Sequence, residues 1–145
     1  MAKTLLDLAK RMDRLPDKIE KGANNIAIKV VKAIDRDVVP HTPVDTTEAV
    51  SNWQAELNGK PSFPLPAIFP GIAGSTAPAS REAAIAHVDR TLAMKEPGNS
   101  VYLSNMVPHI VPLNNGTSKQ EPKGFVERAV LIGRLTVRRA KLGLK

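Results

Sequence analysis

Apolar residues near the start of the chain recur at intervals of three and four, which is the spacing of one face of an α-helix. Residues 3–12 predict a short amphipathic helix that stops before Pro16. A longer helix is predicted from Pro16 or Asp17 to about Val39, ending before Pro40, because proline fits a first helical turn and interrupts a later one. Its apolar face comprises Ile19, Ala23, Ile26, Val30, Ile34 and Val38.

The middle and the end of the chain carry the patterns of two strands and two more helices. Alternation predicts one strand over residues 51–57, with Trp53 facing the core, and another over residues 100–105. A helix is predicted over residues 80–95, because its first residue is a serine that can cap it. A last helix is predicted over residues 124–144. The expected buried positions are Ile85, Val88 and Leu92 in the first of these helices and Val126, Val130, Gly133 and Val137 in the second.

Residues 58–79, which we call the arm, are rich in proline and glycine. That composition excludes regular structure over most of the segment and predicts one long surface loop, with room for one further strand. Its large apolar side chains would contact water in a monomer, so a neighbouring subunit is a natural cover for them. These side chains are Phe63, Leu65, Ile68, Phe69 and Ile72.

The order of these elements predicts an α+β fold. We expect a single domain over residues 1–145, in which a long N-terminal helix and a C-terminal helix pack on a small antiparallel β-sheet. The length fits one domain, and the absence of cysteine excludes disulfides and thiolate sites. No apolar run reaches the roughly 20 residues that span a bilayer, and the N-terminus lacks the apolar core of a signal peptide. We therefore expect a soluble cytoplasmic protein that binds no membrane.

Positive charge is concentrated at the C-terminal end. The net charge is +7, and no acidic residue follows Glu127. Residues 134–145, which we call the basic tail, predict either a surface that contacts phosphate or an acidic partner, or a solvated helix face. The residues concerned are Arg134, Arg138, Arg139 and Lys141. Non-specific binding of nucleic acid through this tail is the alternative function that the sequence supports.

Motifs for catalysis or for metal binding are not apparent. His41, His87 and His109 form no HxH or HExxH pair. A hydrolase that uses His41, with Asp45 and a distant serine, or that uses His109, is a third hypothesis, but no GxSxG turn supports it. The polar stretch NNGTSKQEPKG, residues 114–124, lacks the GxxxxGK[ST] order of a phosphate-binding loop. We therefore predict no enzyme activity, no metal and no cofactor.

Two separated stretches resemble one protein family. TPVDTTEAVSNW, residues 42–53, resembles the P-V-D-T-G-x-L-x-x-S turn of the tail-completion and neck proteins of tailed bacteriophages, including the lambda-like minor tail protein Z type. VYLSNMVPHIVPLNNGTSKQEPKGFVERAV, residues 101–130, resembles that family's second run, N-x-x-P-Y-a-x-x-L-E-x-G-x-S-x-Q-A-P-x-G-M-V, which leads into a C-terminal helix. The positions that carry the resemblance are Pro43, Val44, Asp45, Thr46, Trp53, Asn105, Pro108, His109, Gly116, Ser118, Gln120, Pro122 and Gly124.

This sequence departs from the family's usual residues at four of the aligned positions. His109 stands in place of tyrosine, Asn114 in place of glutamate, Glu121 in place of alanine, and Thr47 in place of glycine. Because of the changes at His109 and Asn114, the hydrogen bond between subunits that tyrosine and glutamate would make in that family is not expected to be retained in the same form. Residues 114–124 are interpreted as a structural corner, held against the domain or a neighbouring subunit.

The resemblance implies a structural virion protein, not an enzyme, that joins the phage tail to the head connector. It implies assembly in the host cytoplasm as a ring of identical subunits around the DNA channel, with a hexamer as one expected size. The implied partners are other neck, connector, tail-tube or terminator proteins, and DNA in the channel. The arm suits such a ring, because a heterologous interface brings two different patches together.

Overall fold

The N-terminal helix is the longest element of the fold. The computed structural model describes residues 4–143, and helix α1 spans Leu5–His41. Thr4 caps α1, because its Oγ1 accepts a hydrogen bond of 3.1 Å from the amide of Asp7. Residue 3, the predicted start of the first helix, lies outside the described range.

Pro16 and Pro40 both lie inside α1, so the predicted break before Pro16 and the predicted end before Pro40 are wrong. A proline removes one intrahelical hydrogen bond and costs about 3 kcal/mol in a helix interior, which is why a break is expected there. The flanking residues at Pro16 include leucine, arginine and lysine, which favour the helix. Propagation over 37 residues therefore outweighs the local loss, and Pro40 falls in the last turn.

Six shorter elements follow α1. They are α2 (Glu48–Ser51), β1 (Trp53–Leu57), α3 (Ala77–Ala93), β2 (Val101–Asn105), α4 (Ile110–Asn114) and α5 (Phe125–Arg139). The fold is α+β, as predicted, with a long N-terminal helix, a C-terminal helix and a small antiparallel sheet. None of the helices in residues 4–143 is both long enough and apolar enough to cross a membrane.

The two strands pair as the alternation predicts. They run antiparallel, with Trp53 opposite Asn105 and Leu57 opposite Val101. The first strand is shorter than predicted, because Ser51 ends the short helix α2. Within the described residues the sheet has two strands, so the arm adds no further strand to it.

Helix α3 begins three residues earlier than predicted. Thr76 occupies its N-cap position without a side-chain cap, and Pro78 lies in the first turn. Ser80 is instead fully buried inside the helix, where its hydroxyl donates a hydrogen bond of 3.2 Å to the carbonyl of Phe69. Of the predicted stripe, Val88 and Leu92 are buried. The stripe is therefore largely correct, although the serine fastens a loop to the helix instead of capping it.

Helix α5 packs on α1 through a line of residues that differs in part from the predicted one. Its buried line is Phe125, Ala129 and Gly133, whereas Val130 and Val137 are exposed. A Cβ at Gly133 would lie 2.6 Å from the side chain of Ile34, so the two helices approach too closely for a larger residue. The predicted line is therefore correct at Gly133 and partly at Val126, which is half-buried against the core, and wrong at Val130 and Val137, because Phe125 and Ala129 make the buried contact.

The core lies where α1, α3, α5 and the sheet meet. The larger cluster of buried residues comprises Val38, Val39, Val44, Val50, Trp53, Ala77, Ala84, Phe125 and Ala129. As predicted, Trp53 faces this core, and its indole N–H donates to the Thr42 hydroxyl at 2.8 Å. That hydroxyl donates in turn to the carbonyl of Val38 at 2.7 Å, so the indole N–H and the hydroxyl both have partners.

Candidate assembly surfaces

The two stretches that carry the family resemblance meet in the fold. The side-chain amide of Gln120 donates to the carbonyl of Val44 at 3.0 Å and accepts from the amide of Val44 at 2.9 Å. A glutamine side chain thus completes both backbone hydrogen bonds of a buried valine 76 residues away in sequence. This pair, which we call the Val44–Gln120 joint, holds residues 114–124 against the domain.

Asn114 organises the start of α5. Its side-chain amide donates to both carboxylate oxygens of Glu127 at 2.9 Å, and its Oδ1 accepts from the amide of Val126 at 2.9 Å. The hydrogen bond from Asn114 lowers the pKa of Glu127, and a backbone hydrogen bond adds to this. Gly116 turns the chain between these groups with φ of 90°, a conformation that favours glycine. The residue at the family's glutamate position therefore makes contacts within the subunit.

Arg128 ties α5 to its surroundings by two ion pairs. Its Nε lies 3.3 Å from a carboxylate oxygen of Asp37 on α1, and its Nη1 lies 3.3 Å from one of Glu121. Glu121 stands where the family commonly has alanine, so this contact belongs to the present sequence. The pairs fix the polar stretch between α1 and α5.

The remaining motif positions divide into held and exposed residues. The Asp45 carboxylate accepts from the amide of Ala73 at 2.9 Å, and Asn105 Nδ2 donates to the carbonyl of Ala49 at 2.7 Å. The Ser118 hydroxyl accepts from the amide of Gln120 at 3.1 Å. Pro43 is buried, and Gly124 precedes α5 in the left-handed conformation. The exposed motif positions are Asp45, Thr46, Pro108, His109, Gly116, Gln120 and Pro122.

The arm lies along the domain and is fastened by polar side chains. Asn52 accepts from the Leu65 amide at 2.6 Å and donates to the Leu65 carbonyl at 2.8 Å. The Ser51 hydroxyl accepts from the amide of Ile68, and the Thr47 hydroxyl donates to the carbonyl of Phe69. These hydrogen bonds fix the backbone of an otherwise irregular segment.

The fastened arm still presents apolar side chains to water. Phe63 is 70% exposed, Ile72 is 82% exposed, and Ile68 and Phe69 are also exposed, whereas Leu65 is half-buried. Side chains of this size gain free energy when a partner removes them from water. The outer side of the arm is therefore a candidate contact for another protein surface.

The basic tail forms a second exposed surface. Arg134, Arg138, Arg139 and Lys141 are all exposed, and the first two share a face of α5 because they are four residues apart. Leu131 and Leu135 are exposed on the adjacent side of the same helix. Helix α5 ends at Arg139, earlier than the predicted residue 144, and Ala140 is extended. Residues 144 and 145 lie outside the described range.

The histidines are engaged separately or exposed. His41 Nδ1 lies 2.7 Å from the carbonyl of Asp37, while the carboxylate of Asp45 is bonded to the arm, so the structure gives no hydrogen bond between His41 and Asp45. Burial, aided by the positive charge of Arg90, lowers the pKa of His87. His109 is exposed before α4. Among residues 4–143 no three His, Cys, Asp or Glu side chains are grouped to hold a metal.

Asp35 is a buried acid that the sequence pattern did not single out. It is 1% exposed on the inner side of α1, and both carboxylate oxygens lack a hydrogen-bond partner in the described structure. Burial and, to a smaller extent, the charge of Asp89 raise the pKa of Asp35 to about 7, against the opposing charge of Arg36. The sequence offered one indication of this burial, which is that Asp35 directly follows Ile34 on the apolar face of α1.

Sequence reasoning also missed the side chains that fasten the arm, Thr47, Ser51 and Asn52. They stand inside the first motif stretch, but no local spacing indicates that their partners lie within residues 65–69. Comparison of the chain with protein-family models, with curated protein sequences and with solved structures gave no match.

Proposed function

We propose that this chain is a structural virion protein of a tailed bacteriophage, placed at the neck or tail terminus, where a ring of identical subunits joins the tail to the head connector. The observation that carries the proposal is the Val44–Gln120 joint. The two stretches that separately resemble the tail-completion and neck family are adjacent in space, although the sequence alone gave no reason for their contact. Their adjacency supports a shared structural role.

The arm supports assembly with neighbouring subunits. A fixed backbone with exposed apolar side chains, Phe63 and Ile72 most of all, is a pre-organised surface that loses little conformational entropy when a partner covers it. In a closed ring, each subunit contacts its two neighbours through two different patches. The arm of one copy can therefore be covered by a different patch of the next copy. Other neck, connector, tail-tube or terminator proteins then bind the two faces of the ring.

Deletion of the gene from the phage genome tests the proposal directly. Negative-stain images should show separate heads and tails, and a plasmid copy of the gene should restore joined particles. Plasmid copies carrying Phe63→Ser or Ile72→Ser should restore fewer joined particles than a copy carrying Met94→Ser, which changes an exposed apolar residue outside the arm. Normal joined particles without the gene would overturn the proposal.

The exposed basic tail supports a second function, non-specific binding of nucleic acid. Four cationic side chains without nearby acids can neutralise phosphates, and such binding weakens steeply with added salt. Titration of duplex DNA at two salt concentrations, followed by fluorescence anisotropy, is the test. Arg134→Glu with Arg138→Glu should abolish binding, whereas two equal charge changes at Lys60 and Lys10, which are exposed elsewhere, should not. Absence of binding by the native chain at low salt would dismiss this function.

A further inference from the structure

The first half of α1 projects from the domain. Contact with the body begins at Gly22, where the backbone carbonyl of Leu142 lies so close that a Cβ would be 2.5 Å from it. Residues 8–21 are all exposed, and residues 5–21, which we call the projecting segment, extend about 25 Å at 1.5 Å per residue. No other part of residues 4–143 covers this length of helix.

The projecting segment carries an apolar seam that nothing in residues 4–143 covers. Its members are Leu5, Leu8, Met12, Leu15 and Ile19, and they are 86%, 45%, 62%, 40% and 40% exposed. Their spacing of three, four, three and four residues repeats every seven residues. This is the pattern with which one helix packs lengthwise against another helix, because alternate positions interlock along a single line.

Opposite charges flank the seam on its two sides. At about 100° per residue, Asp13 and Glu20 fall on one side, and Arg11, Arg14 and Lys18 fall on the other, where Asp7 also lies; Lys10, Asp17 and Lys21 face away from the seam. Small residues, Ala9 and Pro16, separate the seam from the acidic row. Each projecting segment therefore has an acidic flank and a basic flank along the same apolar line.

We propose that the projecting segment is a self-association surface that packs in parallel against the projecting segment of a second copy of this chain. In a parallel pair, and equally in a ring of parallel helices, the basic flank of one copy faces the acidic flank of the next. An antiparallel pair would place basic against basic and acidic against acidic, which is unfavourable. The charge arrangement thus selects both the partner and its direction.

The pairing predicts a specific contact. In register, Arg11 of one copy lies level with Asp13 of the next, and the small side chain of Ala9 leaves space for the guanidinium to reach the carboxylate. The proposal is independent of the phage assignment, because it requires only the seam and the flanks.

Sedimentation velocity of the purified full chain over a range of concentrations measures the association. Leu8→Glu should weaken it by at least about tenfold, because it places a charge in the seam. Leu6→Glu is the matched control, since Leu6 is 64% exposed on the acidic side and away from the seam. Both variants should unfold at the same temperature when dilute. A native chain that stays monomeric, or equal weakening by both variants, would overturn the proposal.

Charge reversal and crosslinking test the direction. Arg11→Asp should weaken association, and the double variant Arg11→Asp with Asp13→Arg should restore it. The chain has no cysteine, so Leu8→Cys alone should form a disulfide-linked dimer under mild oxidation in a parallel pair. Crosslinking only between Leu8→Cys and Ile19→Cys chains, or no restoration by the double variant, would contradict the parallel arrangement.

Discussion

Replacement of Asp35 by asparagine should make the folded protein more stable at neutral and alkaline pH. The side chain is 1% exposed and its oxygens have no hydrogen-bond partner within the described residues, so the charged form is strongly disfavoured in the fold. Asparagine is nearly isosteric and stays neutral at every pH. It therefore reproduces the shape and polarity of the protonated acid without its titration.

The magnitude follows from the shift in pKa. Asp35 has an ordinary pKa of 3.8 in the unfolded chain and a pKa of about 7 in the fold. Between these values the folded state holds one more proton than the unfolded state, so the free energy of unfolding falls by about 1.4 kcal/mol per pH unit. The stability present at or below pH 3.8 is lost by about pH 7, a total on the order of 4 kcal/mol. Burial accounts for most of this loss, and the value already includes the unfavourable charge of Asp89 and the favourable charge of Arg36.

Urea denaturation at several values between about pH 4 and pH 8, followed by the fluorescence of the buried Trp53, is the assay. The variant and the native chain should have similar stability near pH 4, and the variant should gain steadily above it. The lowered pKa of His87 contributes an opposite slope, but it is common to both proteins and cancels in their difference. Asp17→Asn, at an exposed position of α1, controls for replacing an acid by an amide. A difference between Asp35→Asn and native that is constant with pH would refute the reasoning.

Three further substitutions probe the contacts between elements. Gly133→Ala should destabilise the fold by about 1 to 3 kcal/mol in chemical denaturation, because its Cβ would lie 2.6 Å from Ile34; an unchanged midpoint would show that α1 and α5 can separate without cost. Gln120→Leu should cost about 1 to 3 kcal/mol by leaving both backbone groups of Val44 without partners, and hydrogen exchange at the Val44 amide should accelerate; unchanged protection would contradict the Val44–Gln120 joint. Gly116→Ala should cost about 1 to 2 kcal/mol by thermal unfolding, since φ is 90° there, and equal stability would mean that the turn adopts another conformation.

Much of the fold was predictable because it follows from local periodicity. The alternations over residues 51–57 and 100–105 predicted both strands, and the spacing of apolar residues predicted the long helices. Periodicity did not reveal α2 or α4, since four or five residues are too few to show a helical face. The predicted break at Pro16 was wrong because the local cost of a proline was considered without the stability of the helical turns on both sides of it.

The candidate surfaces were predictable only in part. The exposed basic residues were predictable because no acidic residue follows Glu127. The irregular arm was predictable because it is rich in proline and glycine. The Val44–Gln120 joint and the hold of Asn52 on Leu65 are contacts between segments that local sequence does not relate. The buried position of Asp35 is likewise a product of packing between helices, which no single helix pattern specifies.

The fastening of the arm also has a consequence for how this sequence can change over generations. The Phe69 carbonyl accepts hydrogen bonds from the hydroxyls of Thr47, Thr76 and Ser80, although an oxygen offers only two lone pairs. Loss of any one hydroxyl still leaves this carbonyl with two donors, so its hydrogen bonding withstands a single replacement among these three residues. Asn52 has no such substitute, because it alone serves both backbone groups of Leu65. A single change at Asn52 therefore removes more of the hydrogen bonding that holds the arm than a single change at any of the three hydroxyls.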